Sequence, residues 1–113
     1  MNKDAKIYVA GHRGMVGSAI YRKLQKEGYL NLCVATSGDL DLKNAVDVDH
    51  FFNAEKPEYV FLAAAKVGGI IANNVYPVDF LYENLMIQNN VIEASYRYGV
   101  KKLMANALAV RRI

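Results

Sequence analysis

A single cysteine, Cys33, stands in 113 residues, so no internal disulfide is available. Its setting, Leu32-Cys33-Val34-Ala35, reads as a strand, where a small buried apolar role fits better than catalysis. Prolines are scarce too, with only Pro57 and Pro77, and repeats, low-complexity segments and linkers are missing. No apolar run approaches the ~20 residues that a membrane helix needs. The start, Met1-Asn2-Lys3-Asp4, lacks an apolar stretch of the secretory type, so a cytoplasmic location and no membrane partner are expected. No basic run is long enough to argue for nucleic acid. The net charge of +3 is unevenly spread: residues 1–30 carry six basic and two acidic side chains, 31–60 two and six, and 61–113 six and three. Arg111-Arg112 is a pair rather than a patch and reads as a solvated tail. No metal site is expected.

What is present is the composition of a globular protein, 53% hydrophobic and 22% charged. The length suits one modest domain and is short for a complete dinucleotide-binding enzyme, which needs two mononucleotide-binding halves. The most informative stretch is Lys6-Ile7-Tyr8-Val9-Ala10-Gly11-His12-Arg13-Gly14-Met15-Val16-Gly17. A short apolar strand runs into three glycines spaced G-x-x-G-x-x-G and then into a helix. Gly11 suits a sharp turn, Gly14 a close approach of backbone to phosphate, and Gly17 close packing of helix on strand. The helix N-terminus offers unpaired N–H groups and partial positive charge to a pyrophosphate. The bland alternative is a glycine-rich turn with no ligand. Context favours a dinucleotide. Met15–Glu27 has helical periodicity, with Val16, Ala19, Ile20 and Leu24 on one face, and Gly28 stands at the C-cap position.

The remaining order of elements is strand Leu32–Ala35, helix about 44–55, strand Tyr59–Ala63, long helix about 77–98, and strand about 102–104. Strand and helix alternate, which predicts an α/β fold of Rossmann type: a parallel sheet with helices on both faces and right-handed crossovers. Pro57 stops the second helix, Pro77 fits the first turn of the long helix, and Gly99 caps its end. On the long helix Leu81, Leu85, Ile92 and Tyr96 lie near one face, widened by Phe80, Ile87, Val91 and Tyr98; core or a subunit interface, hence a homodimer, fits this stripe.

Ala63-Ala64-Ala65-Lys66-Val67-Gly68-Gly69 begins at the C-terminal end of a strand, where open parallel sheets bind ligands. Small residues there either leave room for a cofactor or pack under a helix. Lys66 either faces a phosphate or is solvated. The end of the second strand, Ala35-Thr36-Ser37, has no carboxylate to hold a ribose 2′-hydroxyl or repel a 2′-phosphate. With Arg13 in the glycine loop, and Thr36 and Ser37 as hydroxyl donors, NADP (NADPH) is preferred over NAD. Asp39-Leu40-Asp41-Leu42 either lies near the adenine or caps the next helix.

Gly11-His12-Arg13-Gly14-Met15-Val16-Gly17-Ser18-Ala19-Ile20, Leu62-Ala63-Ala64-Ala65-Lys66-Val67-Gly68-Gly69-Ile70, Ala72-Asn73-Asn74, Tyr76-Pro77 and Asn84-Leu85-Met86-Ile87-Gln88-Asn89-Asn90-Val91-Ile92 together closely resemble the GDP-L-fucose synthase family of extended short-chain dehydrogenases. The likeness runs from about residue 6 to 103. It implies 3,5-epimerisation of a GDP-4-keto-6-deoxy-sugar, then reduction at C4 with NADPH. It implies that Gly11, His12, Arg13, Gly14, Met15, Val16 and Gly17 hold the cofactor pyrophosphate, with Arg13 near the 2′-phosphate. Asp39, Leu40 and Asp41 then lie near the adenosine, and Ala63, Ala64 and Ala65 along the pyrophosphate and ribose. Lys66, Val67, Gly68 and Gly69 approach the nicotinamide and substrate. At Ala35 the chain departs from members that carry an arginine nearby. After Leu103 it reads Met104-Ala105-Asn106-Ala107-Leu108-Ala109-Val110-Arg111-Arg112-Ile113, where the family continues into a serine-rich segment. Its catalytic serine, Tyr-x-x-x-Lys pair and epimerisation residues have no counterpart. Tyr98 and Lys102 have that spacing, but Gly99 separates them; His12 belongs to the loop and His50 to a helix surface. The expectation is a partial cofactor-binding domain over residues 1–113, inactive alone. The alternatives are an NADP(H)-binding module without turnover, a ligand-free misfolded fragment, or part of another sugar-nucleotide epimerase or dehydratase.

Overall fold

The computed structural model describes residues 1–63 and 78–105, the side chains of 78–81 excepted. The sheet is built around strand β1, Ile7–Ala10, every residue of which is buried. Strand β2 (Leu32–Cys33) pairs on one side of it, and β3 (Tyr59–Leu62) on the other, followed by β4 (Lys102–Ala105). The order is β2-β1-β3-β4 and every pairing is parallel.

Side chains alternate across such a sheet, so each strand feeds two cores. Ile7 and Val9 point to one face, where Leu24 of helix α1 (Met15–Lys26) covers them together with Ile20, Tyr29, Leu32 and Val34. Tyr8, Ala10, Val60 and Leu62 point to the other, under helices α2 (Ala45–Glu55) and α3 (Val78–Arg97). Val48 and Phe52 of α2, and Val91 and Ala94 of α3, complete that larger core. The Tyr8 ring lies 4.6 Å from Phe51 and meets Phe52 edge-on at 5.9 Å. Helices on both faces, as alternation of elements predicts, is the observed architecture.

Local chemistry sets the helix ends. The Asn44 side chain accepts hydrogen bonds from the N–H groups of Val46 (3.0 Å) and Asp47 (3.2 Å), so Asn44, not Asp39 or Asp41, caps α2. Lys56 closes α2 in the left-handed region (φ 44°), and Pro57 follows it, buried. Gly28 (φ 91°) turns the chain after α1. Pro77, expected in the first turn of the long helix, lies outside the described residues.

Three expectations need correction. On α1, Gly17 and Leu24 are buried while Val16 and Ala19 are exposed. The contact with the sheet is centred on positions 17, 20 and 24, about 70° round the helix from Val16. On α3 the broad apolar stripe splits: Ile87, Val91, Ala94 and Tyr98 pack inward, whereas Leu85, Ile92 and Tyr96 are exposed. Phe80 and Leu81 lie among the side chains not described. The β1–β2 ladder ends at Cys33 rather than Ala35, because the chain turns into a bend closed by Thr36 O accepting from Asp39 N (3.0 Å) and Leu40 N (2.9 Å).

Helices α2 and α3 are tied at Asp49. Its Oδ1 accepts from Tyr98 Oη (2.8 Å) and Arg97 Nη1 (2.5 Å), and Arg97 also pairs with Glu93. These bonds, Tyr98's foremost, hold the Asp49 carboxyl below the usual carboxylate range. A depressed native pKa contributes stability above the ordinary carboxylate value that is lost as pH falls through the lowered one. Asp49→Asn therefore flattens the fall of the melting temperature on acidification. Because the group is only partly buried and open to screening by solvent, its effect near neutrality is small. Melting curves from pH 7 down to about pH 2 check this; an unchanged acid slope refutes it.

Candidate functional site

The C-terminal end of β1 is where connections diverge: β1 leads through α1 to β2 on one side, while β3 lies on the other. In open parallel sheets this switch point is where ligands sit. Residues 11–17 are built over it. Gly11 has φ 84°, a conformation that costs a residue with Cβ, and its carbonyl accepts from Gly14 N at 3.0 Å to close the turn. Gly14 is the N-cap of α1, extended at φ −74° and ψ 171°. Its N–H is thus spent within the loop.

Gly17 carries the tightest constraint. A Cβ there would lie 1.8 Å from the Gly11 carbonyl oxygen and 3.1 Å from His12 Cα. The first turn of α1 therefore lies directly on the loop. No side chain caps this helix, and its first turn contains no acidic residue. No backbone carbonyl among the described residues accepts from the N–H groups of Met15, Val16 or Gly17. Met15 is 90% exposed, so the helix start is open to solvent. A bare helix N-terminus without a competing carboxylate is chemically suited to an anion.

Flanking groups divide into those near this start and those engaged elsewhere. Arg13 is exposed in the loop. His12 is half-buried with its ring edge-on to Tyr21 at 6.3 Å, a packing partner that sequence spacing gave no sign of. Thr36 Oγ1 donates to Asp39 Oδ2 at 3.0 Å, so its hydroxyl proton is already committed. The Thr-x-x-Asp spacing was the available signal for that bond. Ser37 is exposed. Leu40 is buried in the larger core, so it anchors the Asp39–Asp41 segment through its side chain. Asp41 Oδ1 accepts from Lys43 N (3.0 Å) in a local turn. Ala63 N donates to Ala10 O (2.9 Å), continuing the β1–β3 ladder to the edge of the site. Ala64, Ala65, Lys66, Val67, Gly68 and Gly69 lie outside the described residues.

Among the described residues no second chemical site competes. Among the described residues no group of three or more His, Cys, Asp and Glu is placed to hold a metal. Tyr98 is bonded to Asp49 while Lys102 opens β4, so they do not form a catalytic pair. His50 is exposed on α2. Cys33 is half-buried, and burial with nearby Glu55 pushes its thiol up to about 11, which leaves it protonated and unreactive at neutral pH. Among the described residues no helix is long and apolar enough to cross a membrane.

With the strand, glycine turn and open helix in place, residues 7–107 match the NAD dependent epimerase/dehydratase family. The chain belongs to this family. It is 62% identical over 103 residues to GDP-L-fucose synthase 1 of Arabidopsis thaliana, covering 91% of the chain and 32% of that protein. It is 50% identical over 99 residues to GDP-L-fucose synthase of Escherichia coli K12, covering 88% of the chain and 31% of that protein. Among solved structures, GDP-mannoheptose C4 reductase from Campylobacter jejuni with NADP bound is 47% identical with a TM-score of 0.78, over 93% of this chain and 33% of that one. A GDP-L-fucose synthetase from Naegleria fowleri bound to NADP is 30% identical with a TM-score of 0.76, over 93% of this chain and 31% of that one. The chain thus spans about a third of the length of the curated relatives it matches.

Proposed function

We propose that this chain is the NADPH-binding part of a GDP-sugar epimerase-reductase of the GDP-L-fucose synthase type. The observation that carries the proposal is the open, uncapped start of α1, held against the Gly11 turn so closely that no Cβ fits at Gly17. The N–H groups of Met15, Val16 and Gly17 hold the pyrophosphate, with Gly11, His12 and Gly14 shaping the loop that presents them. Arg13 reaches the 2′-phosphate by charge-assisted hydrogen bonds. The segment of Asp39, Leu40 and Asp41 borders the adenosine, and Ala63, Ala64 and Ala65 run along the pyrophosphate and ribose. The family likeness assigns Lys66, Val67, Gly68 and Gly69 to the nicotinamide and GDP-sugar end of the site. In the whole enzyme the hydride for the 4-keto group comes from this cofactor.

Residues 1–113 form the cofactor-binding portion, and the sequence offers no counterpart to the tyrosine that donates a proton to the reduced carbonyl or to the lysine that lowers its pKa. The chain therefore binds cofactor without epimerising or reducing a sugar. A cytoplasmic location and a homodimer formed through the exposed side of α3 belong to the same proposal.

Fluorescence titration with NADPH tests it. Binding is expected, and Arg13→Ala weakens NADPH by about tenfold while leaving NADH nearly unchanged, because one charge-assisted bond to the 2′-phosphate is lost. No change in fluorescence or melting temperature at about 1 mM NADPH ends the cofactor assignment. Incubation with GDP-4-keto-6-deoxymannose and NADPH is expected to yield no GDP-fucose; its appearance from pure protein ends the assignment of a cofactor-binding part alone.

A further inference from the structure

Between Thr36 and Asn44 the chain forms neither helix nor strand, yet its path is closely set. Thr36 O accepts from Asp39 N and Leu40 N, Asp41 O accepts from Asn44 N (2.9 Å), and Asp41 Oδ1 accepts from Lys43 N. These bonds are local: they shape the segment without fixing it to the rest of the molecule. Its attachment comes from two leucines and one amide. Leu40 is buried in the larger core, and Leu42 packs partly against that core. The amide belongs to α3: Asn90 Nδ2 donates to the Leu42 carbonyl oxygen at 2.9 Å, a part-buried bond between groups 48 residues apart.

Asn90 is a polar residue at the margin of an apolar face. Ile87, Val91, Ala94 and Tyr98 pack inward, and position 90 stands about 40–60° round the helix from 87 and 94. A carbonyl only accepts, so the amide group must face Leu42. Among the described residues no backbone N–H donates to this oxygen. Without Asn90 a part-buried carbonyl is left unpaired. Apolar contact is non-directional and lets the segment shift, whereas this bond sets its position against α3. Lys43 Nζ lies 3.9 Å from Glu83 Oε1, an exposed pair that adds little.

We propose that Asn90 is a positioning residue for the adenosine half of the cofactor. It acts through the Leu42 carbonyl, which sets where the exposed Asp39 and Asp41 stand. The inference rests on the assignment of Asp39, Leu40 and Asp41 to the adenosine and adds the residue that holds them ready. A nucleotide that meets this segment in place binds at its intrinsic affinity. One that must first gather a loose segment binds more weakly, by the fraction of molecules in the competent form. The start of α1, where the pyrophosphate sits, belongs to a different connection and does not depend on Asn90. Asn90 therefore separates the two halves of the ligand.

Two variants of nearly equal volume test this. Asn90→Leu cannot donate, and Asn90→Asp presents an acceptor to an acceptor. In hydrogen exchange without ligand, both are expected to exchange faster at the N–H groups of Asp39, Leu40, Lys43 and Asn44, with α1 unchanged. Both are expected to bind 2′,5′-ADP and NADPH about tenfold more weakly than the parent. Inorganic pyrophosphate is expected to raise the melting temperature of parent and variants alike. Tyr98→Phe, which loses the bond to Asp49 on the same helix, is expected to melt lower and bind both nucleotides as the parent does. Unchanged exchange at residues 39–44, or 2′,5′-ADP affinity within about twofold of the parent, overturns the role of Asn90 and leaves the cofactor assignment standing. An equal loss of affinity in Tyr98→Phe overturns it as well, because binding then follows stability alone. Failure of the parent to bind either nucleotide at about 1 mM ends the cofactor assignment, and the adenosine role of Asn90 with it.

Discussion

Gly17→Ala is expected to lower the thermal midpoint by about 10 °C or more and to abolish NADPH binding. The added methyl falls 1.8 Å from the Gly11 carbonyl oxygen, which is backbone and has no rotamer to escape into. Either α1 lifts off the loop or the Gly11 turn opens. Crowding of this kind costs about 3 kcal/mol. Both relaxations move the N–H groups of residues 15–17, so binding is lost even in molecules that stay folded. Gly28→Ala separates crowding from backbone conformation: its Cβ meets nothing within 4 Å although φ is 91°. It carries only the left-handed penalty of about 1 kcal/mol and leaves binding intact. Circular dichroism melts and NADPH titrations of the two variants, side by side, check this. Equal midpoints for Gly17→Ala and the parent refute the close approach on which the site depends.

Phe52→Ala is expected to cost about 3–5 kcal/mol, a large part of the total stability of a domain this small. Its side chain is fully buried and meets Tyr8 of the central strand and Phe51 edge-on, each at 5.9 Å. The ring ties α2 to the middle of the sheet, and few neighbours can collapse into the space it leaves, since Val48, Val60 and Leu62 are packed around the same core. Phe51, half-buried beside it, costs less when truncated. Urea unfolding followed by tyrosine fluorescence measures the difference. A curve within about 1 kcal/mol of the parent contradicts the assignment of Phe52 as the centre of the core.

Much of the site was legible from residue types alone because its determinants are local. Gly11 with positive φ, a glycine where α1 meets the loop, and a helix starting at Met15 all follow from three glycines placed after an apolar strand. The role of Gly14 was only partly legible. The spacing suggested approach to phosphate, yet its N–H is taken by Gly11 and it serves as an N-cap without a side chain. The Asp39–Asp41 segment was less legible still. Leu40 looks like part of a polar turn but is a core residue, and the proton of the Thr36 hydroxyl goes to Asp39. Short polar side chains have several partners within reach, and sequence does not rank them.

By itself the sequence determined the order of strands and helices, their approximate ends, the parallel sheet and the glycine turn. Each of these depends on stereochemistry within a few residues or on the alternation of elements. Tertiary structure alone decided which side of each apolar helix is covered. Val16 and Ala19 face solvent although they are apolar, while Ile20 packs inward, and α3 presents one apolar side to Tyr8, Val60 and Leu62 and leaves another bare. Periodicity gives the angle of a side chain about its helix axis. Which neighbour stands at that angle is set by how the sheet and helices pack, and that in turn made Asp49 a bond between α2 and α3.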